Sequence, residues 1–310
     1  MDGRPWTAAD IPDQSGRIAV VTGANSGVGF ETARRLALGG ARVIMAVRSE
    51  AKGRAAAEAI GRERPGASVE VRRVDLADLD SVAGFADRFA AEDGAFDLLV
   101  NNAGVMAPPR TLSPQGHESQ FAANHLGHFA LTGRLLGRIR RGRDPRVVTV
   151  SSLAHRGGTI HFDDLTGARG YSGMRYYAQS KFANMLFGLE LDRRLRAVGS
   201  PVRSLIAHPG LTATSLVDNG FTRLLRPVAR LVAAVSTQPV ETGALPQLYA
   251  ATDPRAESGQ YIGPDEWKRR RGHPAVERPV PAAEDPETAA RLWRVSEELT
   301  GVVYDFDAAR

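Results

Sequence analysis

Short apolar runs rich in valine and isoleucine recur six times along the chain, separated by segments long enough to form a helix. Each run is apolar almost throughout and does not alternate with polar residues, which is typical of strands covered by helices on both faces of a parallel sheet. We therefore predict a parallel sheet built from βαβ units. The predicted strands span residues 17–22, 41–47, 68–74, 96–101, 146–151 and 202–208.

Two stretches interrupt this rhythm, at 212–236 and in the proline-rich segment 264–286. Neither shows the shift in composition that marks a second domain, so we predict one domain spanning residues 1–310. Within it we interpret 15–210 as the core, 211–237 as a substrate lid and 264–310 as a C-terminal extension. The lid carries an apolar stripe beside three arginines; such a stripe could touch a membrane surface, although burial against the core is commoner.

Composition excludes several classes of protein. The chain has no cysteine, which excludes disulfides, thiolate nucleophiles and cysteine-ligated metals. The polar N-terminus and the lack of a long apolar run predict a cytoplasmic protein without a membrane span. The net charge is +5, but the arginines are scattered through helices that also carry carboxylates, so we expect no binding to nucleic acid.

The first predicted strand runs directly into a glycine-rich turn, and a helix with a regular apolar face follows. This order directs backbone N–H groups and the positive end of the helix dipole at a pyrophosphate. The glycine spacing differs from the general G-x-G-x-x-G fingerprint, and taken alone the glycines could serve only to supply positive φ angles. The turn consists of Thr22, Gly23, Ala24, Asn25, Ser26, Gly27, Val28 and Gly29.

Three further segments follow this turn in order. They are Asn101-Asn102-Ala103-Gly104 after the fourth strand, Tyr177-Ala178-Gln179-Ser180-Lys181 in a helix predicted over 175–198, and His208-Pro209-Gly210 after the sixth strand. With the glycine turn, they resemble the TGxxxGxG, NNAG, YxxxK and PG elements of the short-chain dehydrogenase/reductases, over residues 17–214. The resemblance implies a single Rossmann-type α/β domain, a doubly wound parallel sheet of about seven strands with helices on both faces. It also implies hydride transfer between a nicotinamide cofactor and an alcohol or carbonyl.

The residue after the second predicted strand bears on the choice of cofactor. Arg48 stands where an acidic residue would accept hydrogen bonds from the ribose 2′-hydroxyl of NAD. A guanidinium instead pairs with a 2′-phosphate, so Arg48 predicts NADP(H). Glu50 leaves NAD open, and a surface arginine in a loop is the structural alternative.

The resemblance assigns further cofactor contacts. Asp75 and Leu76 are expected to flank the adenine, although Asp75 could equally cap a turn before the next helix. Thr214 is expected to hold the pyrophosphate or the carboxamide side. The predicted cofactor-binding residues are Gly23, Asn25, Ser26, Gly27, Val28, Gly29, Arg48, Asp75, Leu76, Asn102, Ala103, Gly104, Tyr177, Lys181, Pro209, Gly210, Leu211 and Thr214.

Tyr177 and Lys181 are four residues apart on a predicted helix, so their side chains share one face. An ammonium near a phenol favours the phenolate and lowers its pKa, as proton transfer at neutral pH requires. Such a pair could also be an ordinary half-buried contact, but its place after the fifth strand favours catalysis. Tyr176 is five residues from Lys181 and is not the expected acid. The resemblance adds a hydrogen bond from Lys181 to the nicotinamide ribose.

The resemblance supplies two more catalytic residues. Ser152 is expected to hold the substrate oxygen against Tyr177, and Ser151 remains open because adjacent strand residues face opposite ways. Asn124 is expected to support a water-linked proton path to the lysine. The nearby His125 and His128 lack a third ligand at suitable spacing, so we predict no metal site.

Other short motifs resemble the retinol-dehydrogenase-like members and suggest a lipophilic aldehyde, ketone or alcohol as the partner. These motifs are Ser151-Ser152-Leu153-Ala154-His155, Phe162-Asp163-Asp164-Leu165 and Ser180-Lys181-Phe182-Ala183-Asn184. Two alternatives remain open. One is a carbon–carbon double-bond reductase of the protochlorophyllide type, a family that generally uses a cysteine this chain lacks. The other is a non-catalytic NADP(H)-binding regulator. Homodimers or homotetramers are usual in the family.

Overall fold

The computed structural model describes residues 4–139, 141–212 and 238–307. An eight-stranded sheet forms the middle layer, in the order β3-β2-β1-β4-β5-β6-β7-β8. Strands β1 to β7 are parallel, and β8 pairs antiparallel with β7 at the edge. The strands are β1 (Ile18–Thr22), β2 (Arg42–Val47), β3 (Val69–Arg73), β4 (Leu98–Asn101), β5 (Arg146–Val150), β6 (Arg203–Ala207), β7 (Tyr261–Glu266) and β8 (Arg271–Glu277).

Helices cover both faces of the sheet. They are α1 (Gly27–Leu38), α2 (Glu50–Glu63), α3 (Leu79–Glu92), α4 (Ser119–Phe121), α5 (Gly127–Ile139), α6 (Gly173–Ala197), α7 (Val240–Gly243), α8 (Leu245–Thr252) and α9 (Pro286–Thr300). A π-helical turn, Ala122–Leu126, joins α4 to α5, and a 3-10 turn, Leu153–Gly157, follows β5.

The alternation of strand side chains divides the core into two layers. Val21 packs on one face with residues of α1, α2 and α8, whereas its neighbour Val20 packs on the other face with residues of α3, α5 and α6. Both valines are fully buried. A strand buried on both sides has no polar face, which explains the continuous apolar runs in the sequence.

The predicted fold class is confirmed. The six predicted strands match β1 to β6 within two residues at each end, and the helix predicted over 175–198 is α6. The segment from 264 onward contributes the end of β7 and all of β8 to the sheet. Pro264 and Pro274 are paired with each other there. Pro274 is tolerated because β8 is an edge strand, and Pro264 lies beyond the part of β7 that pairs with β6.

The strand order reverses between β1 and β4, which are hydrogen-bonded neighbours. At such a switch point the loops that leave the carboxyl ends of the strands diverge and open a crevice. The segments after β1, β4, β5 and β6 all leave this edge, and they carry most of the predicted site residues. Residues 213–237 of the predicted lid, which include Thr214, lie outside the described residues. No helix in the described ranges is long and apolar enough to cross a membrane.

Candidate active site

The turn between β1 and α1 has the geometry of an anion-binding loop. Gly23 and Gly27 have φ angles of +66° and +55°, which glycine adopts without strain. A Cβ added at Gly29 would lie 2.3 Å from Asn102 Nδ2 and 2.5 Å from the Gly23 carbonyl oxygen. Ser26 immediately precedes α1, but its side chain caps none of the first-turn N–H groups. The loop is closely packed, and the Ser26 hydroxyl does not cap the first N–H groups of α1. These N–H groups can therefore bind a pyrophosphate.

Thr22 ties this turn to the segment after β4. Its hydroxyl oxygen accepts hydrogen bonds from the N–H groups of Asn102 and Ala103, at 2.9 and 3.0 Å. It also lies 2.9 Å from His128 Nε2. Because His128 Nδ1 lies 3.0 Å from the Asn124 carbonyl oxygen, Nδ1 carries the proton and Nε2 accepts from Thr22. Burial lowers the pKa of His128 to about 4, so the ring is neutral.

The residues expected at the adenosine end differ in their surroundings. Arg48 follows β2 directly, is exposed, and forms no salt bridge with any other described residue. Asp75 Oδ1 accepts a hydrogen bond from the Ala77 N–H at 3.0 Å, which is the turn-capping role left open by the sequence. Leu76 is buried. The structure thus leaves the Arg48 guanidinium exposed at the strand end, whereas one Asp75 oxygen is engaged.

Ser152 and Tyr177 meet at the carboxyl end of β5. Burial raises the pKa of the Tyr177 phenol, contrary to the lowering expected from Lys181, and the Ser152 side chain beside it opposes this shift. Ser151 faces the other way, because its hydroxyl donates to the Lys181 carbonyl at 2.8 Å. The Tyr176 hydroxyl is also engaged elsewhere, donating to the Asp164 carbonyl at 2.8 Å. Ser152 and Tyr177 therefore face one another, whereas their neighbours Ser151 and Tyr176 do not face this site.

Lys181 is buried one helical turn beyond Tyr177. Its Nζ donates to the Val150 carbonyl at 3.1 Å and lies 5.9 Å from the centre of the Tyr177 ring. A Cβ added at Gly104 would lie 3.3 Å from this Nζ, so the glycine keeps the backbone after β4 close to the ammonium. Burial lowers the pKa of Lys181 to about 8. The Lys181 side chain is therefore mostly a charged ammonium at neutral pH, and its pKa lies only a little above that pH.

Asn124 lies in the π-helical turn and joins two parts of the site. Its Oδ1 accepts from the Val105 N–H at 2.8 Å, and its Nδ2 donates to Ser180 Oγ at 2.9 Å. Ser180 in turn donates to the Tyr177 carbonyl at 2.8 Å. The extra residue of a π turn re-aims a side chain, and such turns are frequent at functional sites. Asn124 thus links the loop after β4 to the helix that carries Tyr177.

The turn after β6 completes the edge of the sheet. Gly210 has a φ angle of +65°, and the Leu211 N–H donates to the Arg270 carbonyl at 2.7 Å. Gln238 Nε2 donates to the Pro209 carbonyl at 2.8 Å. The turn is therefore held against the β7–β8 hairpin on one side and against the start of the next described range on the other.

Comparisons with known proteins identify the family of the chain. The family model described as short chain dehydrogenase matches residues 17–223. The chain belongs to the short-chain dehydrogenase family. Retinol dehydrogenase 12 of Mus musculus is 40% identical over 303 residues, covering 96% of this chain and 90% of that protein. The predicted resemblance to retinol-dehydrogenase-like members is thereby confirmed, and the chain is an oxidoreductase that acts on CH–OH donors.

Solved structures extend the comparison. An uncharacterized protein from Mycobacterium paratuberculosis is 44% identical, with a TM-score of 0.82 covering 97% of this chain and 100% of that one. A short chain dehydrogenase from Escherichia coli CFT073, solved with NADPH, is 26% identical, with a TM-score of 0.61 covering 81% and 98%. These similarities support a nicotinamide cofactor for the present dehydrogenase.

The two histidines near Asn124 are engaged in hydrogen bonds within the dehydrogenase. His125 Nε2 lies 2.9 Å from Ser296 Oγ, and His128 bridges Thr22 and Asn124 as described above. Among the residues that the structure describes, no group of three or more histidine, aspartate or glutamate side chains could hold a metal ion. The sequence analysis did not include Thr22 among the site residues. Its position as the first residue of TGxxxGxG was the available signal.

The Gly29→Ala variant of the dehydrogenase is expected to lose dinucleotide affinity by more than about tenfold and to lose about 2 kcal/mol of unfolding free energy. The added methyl would overlap both Asn102 and the backbone of Gly23, which cannot move without breaking the turn. Quenching of protein fluorescence by NADPH and urea unfolding measure the two effects.

Gly61→Ala is the matched control, because a Cβ there would meet no atom within 4 Å. Alanine should stabilise that position in α2 by about 0.5 to 1 kcal/mol. Equal NADPH affinity of Gly29→Ala and Gly61→Ala would contradict the assignment of the turn.

Proposed function

We propose that the chain interconverts an alcohol and a carbonyl on a lipophilic small molecule, with NADP(H) as cofactor and Tyr177 as general acid and base. The observation that carries the proposal is the convergence of Tyr177 with Ser152 at the carboxyl end of β5, with the Lys181 ammonium behind the phenol ring. Asn124 is linked to the same helix through Ser180. This group lies at the sheet edge that also carries the glycine turn.

Each residue has a chemical task in this proposal. The nicotinamide supplies or accepts the hydride when it is bound. In the reducing direction, the buried Tyr177 phenol holds its proton and delivers it to the carbonyl oxygen, which the Ser152 hydroxyl positions. The Lys181 ammonium stabilises the phenolate that remains. Its buried Nζ, held by the Val150 carbonyl and close to Gly104, would also donate a hydrogen bond to the nicotinamide ribose.

The cofactor assignment has two parts. The glycine turn and the uncapped start of α1 would hold the pyrophosphate, with Asn102 and Ala103 fixed beside it by Thr22. The exposed guanidinium of Arg48 at the end of β2 would pair with a 2′-phosphate. The NADPH present in the related Escherichia coli structure supports this choice.

Arg48→Ala is expected to raise the dissociation constant for NADPH about tenfold to a hundredfold and to leave that for NADH unchanged, because only NADPH carries the phosphate that the guanidinium would bind. Calorimetric titration with both dinucleotides measures the difference. Arg54→Ala is the control, since Arg54 is also exposed but pairs with Glu50 at 3.6 Å. An equal loss of affinity for both dinucleotides in Arg48→Ala would contradict the proposal.

The lipophilic substrate class rests on the relatives, one of which is named for retinol. Purified protein is expected to oxidise NADPH with retinal and with long straight-chain aldehydes. Its kcat/KM for decanal should exceed that for butanal by at least about tenfold, because each buried methylene contributes about 0.8 kcal/mol. Absorbance of NADPH follows the reaction. A kcat/KM that does not vary with chain length would contradict an apolar pocket.

A further inference from the structure

A buried ionisable pair lies beside the proposed site and has no part in the chemistry described above. Glu277, the last residue of β8, places Oε1 2.7 Å from Nε2 of His208, the residue that follows β6. The two side chains are only 4% and 0% exposed. Burying a carboxylate is costly unless its partners compensate, so the arrangement of those partners is informative.

The proton of the His208 ring can be located from its two neighbours. The Gly210 N–H donates to His208 Nδ1 at 3.2 Å, so Nδ1 has no proton. The ring proton is therefore on Nε2 and is donated to Glu277. A carboxylate on one ring nitrogen fixes the tautomer and orientation of a histidine and makes the other nitrogen a better acceptor. Through His208, Glu277 thus acts on the backbone of Gly210.

Gly210 lies in the turn after β6, whose residues Pro209, Gly210 and Leu211 are predicted to bind the cofactor. A Cβ there would lie 2.3 Å from the Arg270 carbonyl oxygen, so the turn passes close to the β7–β8 hairpin. A small rotation of the His208 ring would remove the acceptor for the Gly210 N–H. The turn is therefore held by a hydrogen bond to His208, whose orientation is fixed by Glu277.

The second carboxylate oxygen of Glu277 contacts the turn after β5. Oε2 lies 3.3 Å from Nη2 of Arg156, in the 3-10 turn that Ser152 begins. His155, the preceding residue, has its Nδ1 2.7 Å from the Ser152 carbonyl oxygen. One carboxylate thus joins the turn that carries Ser152 to the turn that carries Gly210.

Gly263 in β7 leaves the space for this pair. A Cβ at Gly263 would lie 1.9 Å from Glu277 Oε1 and 2.0 Å from His208 Nε2. The ring of Tyr261, two residues earlier on the same strand, packs against both His155 and His208, with centroids 5.4 and 5.2 Å apart. The strand therefore provides both the gap for the pair and an aromatic wall beside it.

We propose that Glu277 is a positioning residue that sets the turn at Gly210 through His208 and the turn at Ser152 through Arg156. This inference rests on the proposed function, because those two turns are the ones assigned to the cofactor and to the substrate oxygen. The carboxylate reaches the edge of the sheet from β8, the antiparallel edge strand.

The test compares Glu277→Leu with Glu277→Gln. Leucine removes the acceptor, so the KM for NADPH is expected to rise about tenfold and kcat to fall about tenfold. Glutamine keeps an oxygen for His208 Nε2 and should restore most of the KM for NADPH. Nitrogen-15 NMR of the His208 ring should show the Nε2–H tautomer in the unmodified protein and in Glu277→Gln, and its loss in Glu277→Leu. A purely structural role would not produce this parallel between tautomer and KM.

Arg156→Gln is a second variant that keeps both side chains of the buried pair and removes only the charge of Arg156, whose side chain is 45% exposed. We expect kcat to fall about threefold with the KM for NADPH unchanged, because only the contact toward Ser152 is lost. A His208 ring protonated on Nδ1 in the unmodified protein, or unmodified kinetics in Glu277→Leu, would overturn the inference. Failure of the unmodified protein to bind NADPH would instead overturn the proposed function.

Discussion

Tyr177→Phe is expected to lower kcat for carbonyl reduction by about a hundredfold to ten-thousandfold, the contribution usual for a positioned general acid. Phenylalanine keeps the ring in its buried site but has no proton to give to the substrate oxygen. The affinity for NADPH should change little, because the phenol is not assigned to the phosphates. Single-turnover oxidation of bound NADPH measures the rate of the chemical step separately from the affinity for NADPH.

Tyr176→Phe is the control for this prediction. The Tyr176 hydroxyl donates to Asp164, and burial raises its pKa to about 12, so it is engaged away from Ser152. Its loss should cost about 1 kcal/mol of stability and leave kcat nearly unchanged. Comparable activity of the two variants would contradict the role of Tyr177.

Lys181→Met is expected to lower kcat by at least about a hundredfold, because the phenolate of Tyr177 would then have no cation beside it. The variant should nevertheless fold. Methionine fills the same buried volume, and the Val150 carbonyl keeps a second donor, Asn184 Nδ2 at 3.1 Å. Lys52→Met is the control, since Lys52 is an exposed lysine in α2.

The stability of these variants should depend on pH in a defined direction. Burial lowers the pKa of Lys181 from 10.5 to about 8, so between these values the unfolded chain binds more protons than the folded one. The unfolding free energy of the unmodified protein should therefore rise relative to that of Lys181→Met, by about 2 kcal/mol between pH 7.5 and 9.5. Urea unfolding at the two pH values measures the difference. A difference that stays constant, as expected for Lys52→Met, would show that the ammonium is not buried.

Local sequence patterns were sufficient for β1 to β6, because a strand buried on both faces must be apolar along its length. They were not sufficient for β7 and β8. Gly263 and Pro264 in β7, and Gly272 and Pro274 in β8, are residues that ordinarily interrupt a strand. They are tolerated in β8, which is an edge strand, and in the end of β7 that extends beyond its pairing with β6. Gly263 is required by the contact between His208 and Glu277.

The catalytic helix could be predicted because Tyr177 and Lys181 are close in sequence. The choice between Ser151 and Ser152 depended on which hydroxyl faces the Tyr177 phenol, and the sequence only showed that one of them can. The Ser151 hydroxyl instead donates to the Lys181 carbonyl. Thr22 and the π turn at Asn124 are local features whose partners lie far along the chain. Glu277 and His208 are separated by 69 residues, so no spacing rule brings them together.

The most direct test of the central claim is transfer of deuterium from NADPH labelled at both positions of its reactive nicotinamide carbon to a lipophilic aldehyde such as retinal. Mass spectrometry of the product should show one deuterium on the carbinol carbon with the unmodified protein. In the same time Tyr177→Phe should form about a hundredth of this product or less. Deuterium on a saturated carbon formed by reduction of a carbon–carbon double bond would instead identify a double-bond reductase. Tight NADPH binding with no transfer to any aldehyde or ketone would contradict the account and indicate a non-catalytic NADP(H)-binding regulator.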